Sequence, residues 1–329
     1  MARKEKTMKK YIIIISVIII AGCIIMMVPV GGTDVPEGET VNRQKSMDLS
    51  GFSGNAPGKE LKLLFIHHSC GGQLFADPGE DDGENCIYES HPNGGGLRTL
   101  LESQGYSVHE ASYASEIGDR TDIFDWLPKF RDKMEKVLKC SNQDTFYTED
   151  DKRNDIVAFK SCYPNNNFVG KGEDPGNPEG PELTVWNARA AYVALLQEFQ
   201  KYPEVLFICV TAPPLAGKLP PEPMWKHLAR RVLNKPRQKR SQTGPFAREF
   251  SNWLKTEDGW LKDYAEKNVV VFDYYDILTG NGKSNYCEYP TGRNGANSHP
   301  NREGNKLSAE AFVPLVNRAV RRAGLVPQD

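Results

Sequence analysis

The chain has 329 residues, 39% of them hydrophobic and 26% charged, with 29 Gly and 22 Pro. That composition excludes a largely disordered, collagen-like or coiled-coil protein. A formal charge of −2 gives no global basic field, so nucleic acid is not an expected partner. Seven Cys over this length do not make a disulfide scaffold, and the length suits one large α/β domain or two small ones.

The charge is uneven. The first 30 residues carry five Lys/Arg and one Glu, which leaves 36 basic against 42 acidic residues in the remainder. After the basic Met1–Lys10, residues Tyr11–Val30 are apolar apart from Ser16, Gly22 and Cys23, which is long enough to span a bilayer. The basic flank is expected to stay in the cytoplasm and the rest of the chain outside, anchored at the membrane through this N-terminus. Ile20-Ala21-Gly22-Cys23 also resembles the bacterial lipobox, in which Cys23 is lipidated after cleavage. An uncleaved anchor, a lipoprotein and a secreted form all place the working domain outside the cytoplasm. Residues 31–59 are rich in Gly, Pro, Ser and charge without apolar periodicity, and read as a tether. The domain is expected over 60–329, with insertions near 73–93 and 215–245.

Leu61–Ile66 is a short, nearly continuous apolar run, as expected of a strand buried on both faces. Similar runs recur at Tyr106–His109, Asp155–Phe159, Val205–Thr211 and Val269–Phe272. Helical patterns lie between and after them, at 97–103, 123–138, 183–201, 246–255, 260–267 and about 303–322. This alternation predicts an α/β fold, a five-stranded parallel sheet between two helical layers, with ligands beyond the carboxyl ends of the strands.

The first strand runs into His67-His68-Ser69-Cys70-Gly71-Gly72, a tight turn that presents a Ser at the sheet's active edge. The third runs into Lys160-Ser161-Cys162-Tyr163-Pro164-Asn165, a polar cluster with amides to offer. Asn297-Ser298-His299-Pro300-Asn301, just before the last helix, places a His that can act as general base to a Ser on the first strand. Adjacent His67 and His68 point to opposite faces of a strand, and no spacing in the chain indicates a metal site.

In this order the motifs FIHHSCGG, DIVAFKSCYPN, LFICVTAPPL, FAREFSNWL, VVVFDYYDIL and SHPNREGN resemble the SGNH (GDSL-type) hydrolases, in a divergent branch whose first block reads HHS. The resemblance covers about Leu61–Val320 and implies a flavodoxin-like three-layer sandwich. It implies that Ser69 is the nucleophile and an oxyanion donor and that His299 is the base. Gly118 and Asn165 are the nearest matches to the family's other two oxyanion donors. The family's Asp three residues before the His is replaced by Ala296, so Asn297, Asp273 or Asp276 would have to orient the imidazole. In the strand order 2-1-3-4-5, Cys70 and Cys162 follow neighbouring strands, and read either as a disulfide pair or as two unpaired small core residues.

Two segments stand apart. Asp77–Glu89 carries six acidic residues and no basic one, but lacks EF-hand spacing and reads as a solvated loop. Lys218–Arg240 carries eight Lys/Arg against one Glu and reads as a lid, a basic collar or a solvated helix–loop, with Trp225 able to stack on a sugar ring. Trp126, Trp186, Trp253 and Trp260 read as core. The expected activity is that of an extracytoplasmic serine esterase acting on an acyl ester, such as an acetylated polysaccharide, without a cofactor. A catalytically silent surface protein that binds glycan or a partner is the alternative, and an acyltransferase a third.

Overall fold

The computed structural model describes residues 47–233, 237, 239–256, 258–292 and 294–328. The anchor or lipobox reading of residues 11–30, Cys23 included, falls outside them. Among the described residues no helix is long and apolar enough to cross a membrane.

Five apolar runs become the five strands of one parallel sheet: β1 (Leu61–Ile66), β2 (Tyr106–Ala111), β3 (Ile156–Lys160), β4 (Leu206–Val210) and β5 (Val269–Phe272). The spatial order is β5-β4-β3-β1-β2, the expected 2-1-3-4-5 read from the other edge. Register is continuous across the centre, with Ile66 beside Phe159, Phe159 beside Cys209 and Cys209 beside Val271. Successive side chains point to opposite faces, so each strand serves two cores. Leu64, Ile66, Val157, Phe159 and Phe207 pack with Trp126, Phe130, Phe199 and Phe250 on one face. Leu63, Phe65, Ile156, Ala158 and Ile208 pack with Phe75, Leu101, Phe312 and Val316 on the other.

The first face is covered by α3 (Trp126–Lys139), α4 (Val185–Phe199) and α6 (Arg240–Lys255). The second is covered by α1 (Cys70–Phe75), α2 (Leu97–Ser103), α7 (Tyr274–Leu278) and α8 (Arg302–Arg322). The result is the three-layer α/β sandwich. Helix starts are set by local side chains: the Thr184 hydroxyl accepts from Asn187 N–H, and the Asn301 amide oxygen accepts from Gly304 N–H.

Three segments differ from expectation. Residues 260–267 form turns rather than a helix, because Trp260 is drawn into the core, donating its backbone N–H to Trp253 O and its indole N–H to Tyr192 O. The acidic Asp77–Glu89 stretch is built into a small sheet of Asp77–Pro78, Asp82–Glu84 and Ile87–His91. Residues 47–56, counted by composition in the tether, lie against the domain. Met47 N–H bonds Lys255 O, Asn317 donates to Gly54 O, and Arg321 donates to Asn55 O and Ala56 O. In the basic insertion, none of the described side chains of α5 (Met224–Val232) is buried.

Candidate active site

The nucleophile turn is an extension of β1. His67 N–H donates to Ala111 O, continuing the pairing with β2 by one residue, and the chain then reverses into α1. Ser69, at the reversal, has φ 46° and ψ −98°, left-handed backbone that a non-glycine residue adopts only when its surroundings enforce it. The turn is held by Gly71 N–H to His68 O and Gln73 N–H to Ser69 O. A Cβ on Gly71 would sit 2.4 Å from His67 Cβ, so this position has room only for glycine.

The two histidines before Ser69 diverge, as strand geometry requires. His67 is fully buried, and its Nε2 lies 2.8 Å from Glu110 Oε1, while Arg98 pairs with the other carboxylate oxygen. Burial first, then the charge of Lys160, holds its pKa well below the usual value, so the neutral ring donates from Nε2. His68 donates from Nε2 to Gly118 O (2.7 Å) and stacks on Tyr113 with 3.6 Å between ring centroids. Its pKa is lowered to about 4, chiefly by burial. Among the described residues no group of His, Cys, Asp or Glu is placed to hold a metal ion.

His299 reaches the turn from 230 residues away, on β6 (Asn297–Pro300), a short strand paired with Pro290–Thr291 just before α8. Its Nε2 is hydrogen-bonded to Ser69 Oγ, and its Nδ1 lies 2.7 Å from Asn297 Oδ1. An amide oxygen can only accept, so Nδ1 carries the proton, Nε2 is bare, and the Ser69 hydroxyl donates to it. The same Asn297 oxygen accepts from the His299 backbone N–H at 3.1 Å, closing a local loop that fixes the ring. The Tyr163 ring meets the imidazole edge-on at 5.0 Å. Burial lowers the pKa of His299; negative charge on the Cys162 sulfur pulls it up, and Lys160 and His91 push it further down.

Of the residues proposed to orient His299, the structure brings Asn297 to it and sends the two aspartates elsewhere. Asp273 caps α7 through Asp276 N–H and pairs with Lys255 (2.5 Å). Asp276 pairs with Arg248 (2.7 Å) and lies 3.7 Å from Lys255. Both carboxylates are spent in a buried ion cluster at the end of β5. The proposed oxyanion donors also need correction. Gly118 N–H is taken by Ser115 Oγ (2.9 Å). Asn165 gives its amide hydrogens to Asp122 Oδ1 (2.7 Å) and Cys162 O (3.3 Å), and its oxygen accepts from Ile123 N–H. Gly118 is required for a different reason: a Cβ there would lie 1.9 Å from Ser112 O. Among the described residues no acceptor takes the Ser69 N–H, which leaves it the expected donor to an oxyanion.

The sulfurs of Cys70 and Cys162 are 3.8 Å apart, so the two strands do bring them together, but they are unbonded in this structure. Burial pushes the Cys70 thiol up. Two charged groups at the site were overlooked in the sequence. Lys160, at the end of β3, is fully buried and donates to Ser161 O (3.2 Å), and its charge acts on His67, His68 and His299. Glu110 anchors His67 from the end of β2. A charged residue inside an apolar run destined for burial on both faces was the available signal for each.

Neither a family model nor a curated protein sequence matches the chain. Among solved structures it is similar to a carbohydrate esterase family 2 enzyme with a carbohydrate-binding domain from Corynascus thermopiles (Myceliophthora fergusii). The two are 14% identical, with a TM-score of 0.40, over 80% of this chain and 67% of that one.

Proposed function

We propose that this chain is a serine esterase of the SGNH type, anchored at a membrane and acting outside the cytoplasm on an acyl ester of a polysaccharide. The observation that carries the reading is the continuous chain from Ser69 Oγ to His299 Nε2 and from His299 Nδ1 to Asn297 Oδ1. His299 takes the Ser69 proton as Oγ attacks the acyl carbon. The carbonyl π pair moves to oxygen, and the oxyanion meets the Ser69 N–H. The imidazolium then protonates the departing alkoxide, and the acyl group stays on Ser69. Water, deprotonated by the same His299, releases the acid and restores Ser69. Asn297 holds the tautomer that this sequence needs, as a carboxylate does in the Ser-His-Asp arrangement, but without a charge to stabilise the imidazolium.

A catalytically silent glycan-binding protein is the second reading, favoured by that missing charge and by the engagement of Gly118 and Asn165. Turnover of an acetyl ester by the full chain separates the two. The esterase reading expects hydrolysis that falls at least about 10³-fold in Ser69→Ala and in His299→Ala. Turnover equal in the wild type and both variants would remove it.

A further inference from the structure

A cleft of about 420 Å³ opens beside the proposed base, with Tyr163, Pro220, Pro221, Arg240, Asn294 and Asn297 in its lining. Asn297 bonds the His299 ring and Tyr163 packs against it, so two residues of the cleft wall touch the proposed base. The notable wall residue is Arg240, the first residue of α6. It is only 8% exposed, and its Nη1 donates to the neutral Asn167 Oδ1 at 3.0 Å. Its Nε is buried and has no partner among the described residues.

Among the described residues no carboxylate pairs with this cation: besides burial, the groups that act on the guanidinium are Arg237, which disfavours its charge, and the phenols of Tyr286 and Tyr163. Buried cations elsewhere are answered either by a carboxylate, as Arg248 by Asp276 and Lys255 by Asp273, or by backbone carbonyls, as Lys129 by Ile117 O and Asp119 O, Arg321 by Asn55 O, Ala56 O and Asn317 O, and Lys160 by Ser161 O. A guanidinium withdrawn from water without an anion is costly, and an anion that arrives with a ligand removes the cost. The surrounding insertion, with eight Lys/Arg against one Glu over Lys218–Arg240, adds a field of the same sign.

We infer that Arg240 is a specificity residue that binds a univalent oxyanion, a carboxylate or a sulfate, carried by the substrate next to the scissile ester. The inference rests on the esterase reading for the word substrate, and on the cleft alone for the binding. The acyl ester is therefore one of an acidic polysaccharide rather than a neutral one. The anion engages the guanidinium across the cleft while the ester lies toward Ser69 and His299.

The test is calorimetric binding to the full chain carrying Ser69→Ala, which cannot turn the ligand over. The probes are an O-acetylated oligogalacturonate, the same oligomer with its carboxylates methyl-esterified, and an O-acetylated neutral oligosaccharide bearing one sulfate. The expected result is at least about tenfold tighter binding of the free acid than of its methyl ester, weakening with salt, and a ratio near one when Arg240→Gln is added. Tight binding of the sulfate with weak binding of the free acid assigns the anion as sulfate. Equal affinity for charged and neutral oligomers, selectivity that survives Arg240→Gln, or no binding of any probe overturns the proposal. Comparing the free acid with its methyl ester on one protein keeps the result independent of how the variant folds. Failure of the esterase reading looks different: charge-selective binding persists, and the unsubstituted chain hydrolyses none of the three.

Discussion

Two stretches of this chain follow strand ends of the same sheet, and they are built in opposite ways. After β1, His67–Gly72 is locked by backbone bonds, by Glu110 and Gly118 beneath the histidines, and by a glycine where only glycine fits. After β4, the insertion raises a helix with Met224, Trp225, Leu228 and Val232 between 51% and 77% exposed. Its apolar residues fall on one arc, at positions one, two, five and nine, and its basic residues Lys226, Arg230 and Arg231 on the other. Helical periodicity alone therefore says that a helix forms and not that anything covers it. Placement of reactive groups comes from the first kind of structure, in which the backbone itself is constrained.

Substitutions sharpen that contrast. In the constrained region Ser69→Ala and His299→Ala are expected to remove at least about 10³ of the ester turnover, because each ends the proton path. Within the sheet's core, Phe130→Ala is expected to cost about 3–5 kcal/mol in urea unfolding of the full chain. Its ring is fully buried against Phe159, Phe199 and Phe207.

The path from sequence to these residues was uneven. All five strands and their order were legible, because a parallel strand buried on both faces reads as a continuous apolar run. The pairing of Ser69 with His299 was also within reach, since turn chemistry and sheet topology put both at one edge, whereas Asn297 stood as one of three candidates to orient the ring. The donors Gly118 and Asn165 were not, because a backbone N–H or an amide has many competing acceptors and only coordinates show which one wins. Asp273 and Asp276 looked equally available in sequence; their capture by Lys255 and Arg248, which lie on α6, depends on how that helix crosses the sheet edge. Lys160 and Glu110 hid inside strand runs, and Trp260 gave a helical pattern that the core claimed for a turn.

Acid acts on the constrained turn through its buried histidines. His68 titrates near 6.5 when unfolded and at about 4 in the fold. Above pH 6.5 both states are neutral and nothing is gained. Below it the unfolded chain takes up the proton first, so stability falls between pH 6.5 and about 4, by about 2–3 kcal/mol. His68→Gln, which keeps an N–H donor for Gly118 O, should flatten this part of the curve. A slope unchanged in that variant would assign the acid sensitivity to other groups.

The base shows the same logic in rate. With its pKa below the ordinary histidine value, through burial and, against Cys162, through Lys160 and His91, His299 keeps its neutral form to lower pH than an ordinary histidine does. The acid limb of kcat/KM is therefore expected below pH 6.5. Asn297→Asp supplies a carboxylate to the ring and should move that limb up by about 1–2 pH units. A limb that stays in place would mean that Asn297 does not face the titrating imidazole. At the small end, Trp225→Ala and Leu228→Ala in α5 should leave stability within about 0.5 kcal/mol, as expected for side chains that the fold does not use. A loss of several kcal/mol would show that the helix is packed after all.

The central claim is that Ser69 is activated by His299. Its most direct test is treatment of the full chain with a fluorophosphonate probe, read by intact mass and by peptide mapping. The account predicts a single adduct on Ser69, absent in Ser69→Ala, slowed strongly in His299→Ala, and losing rate with acid at a lower pH than an ordinary histidine would impose. A folded wild-type chain that takes up no label, or takes it up on another residue, would contradict it.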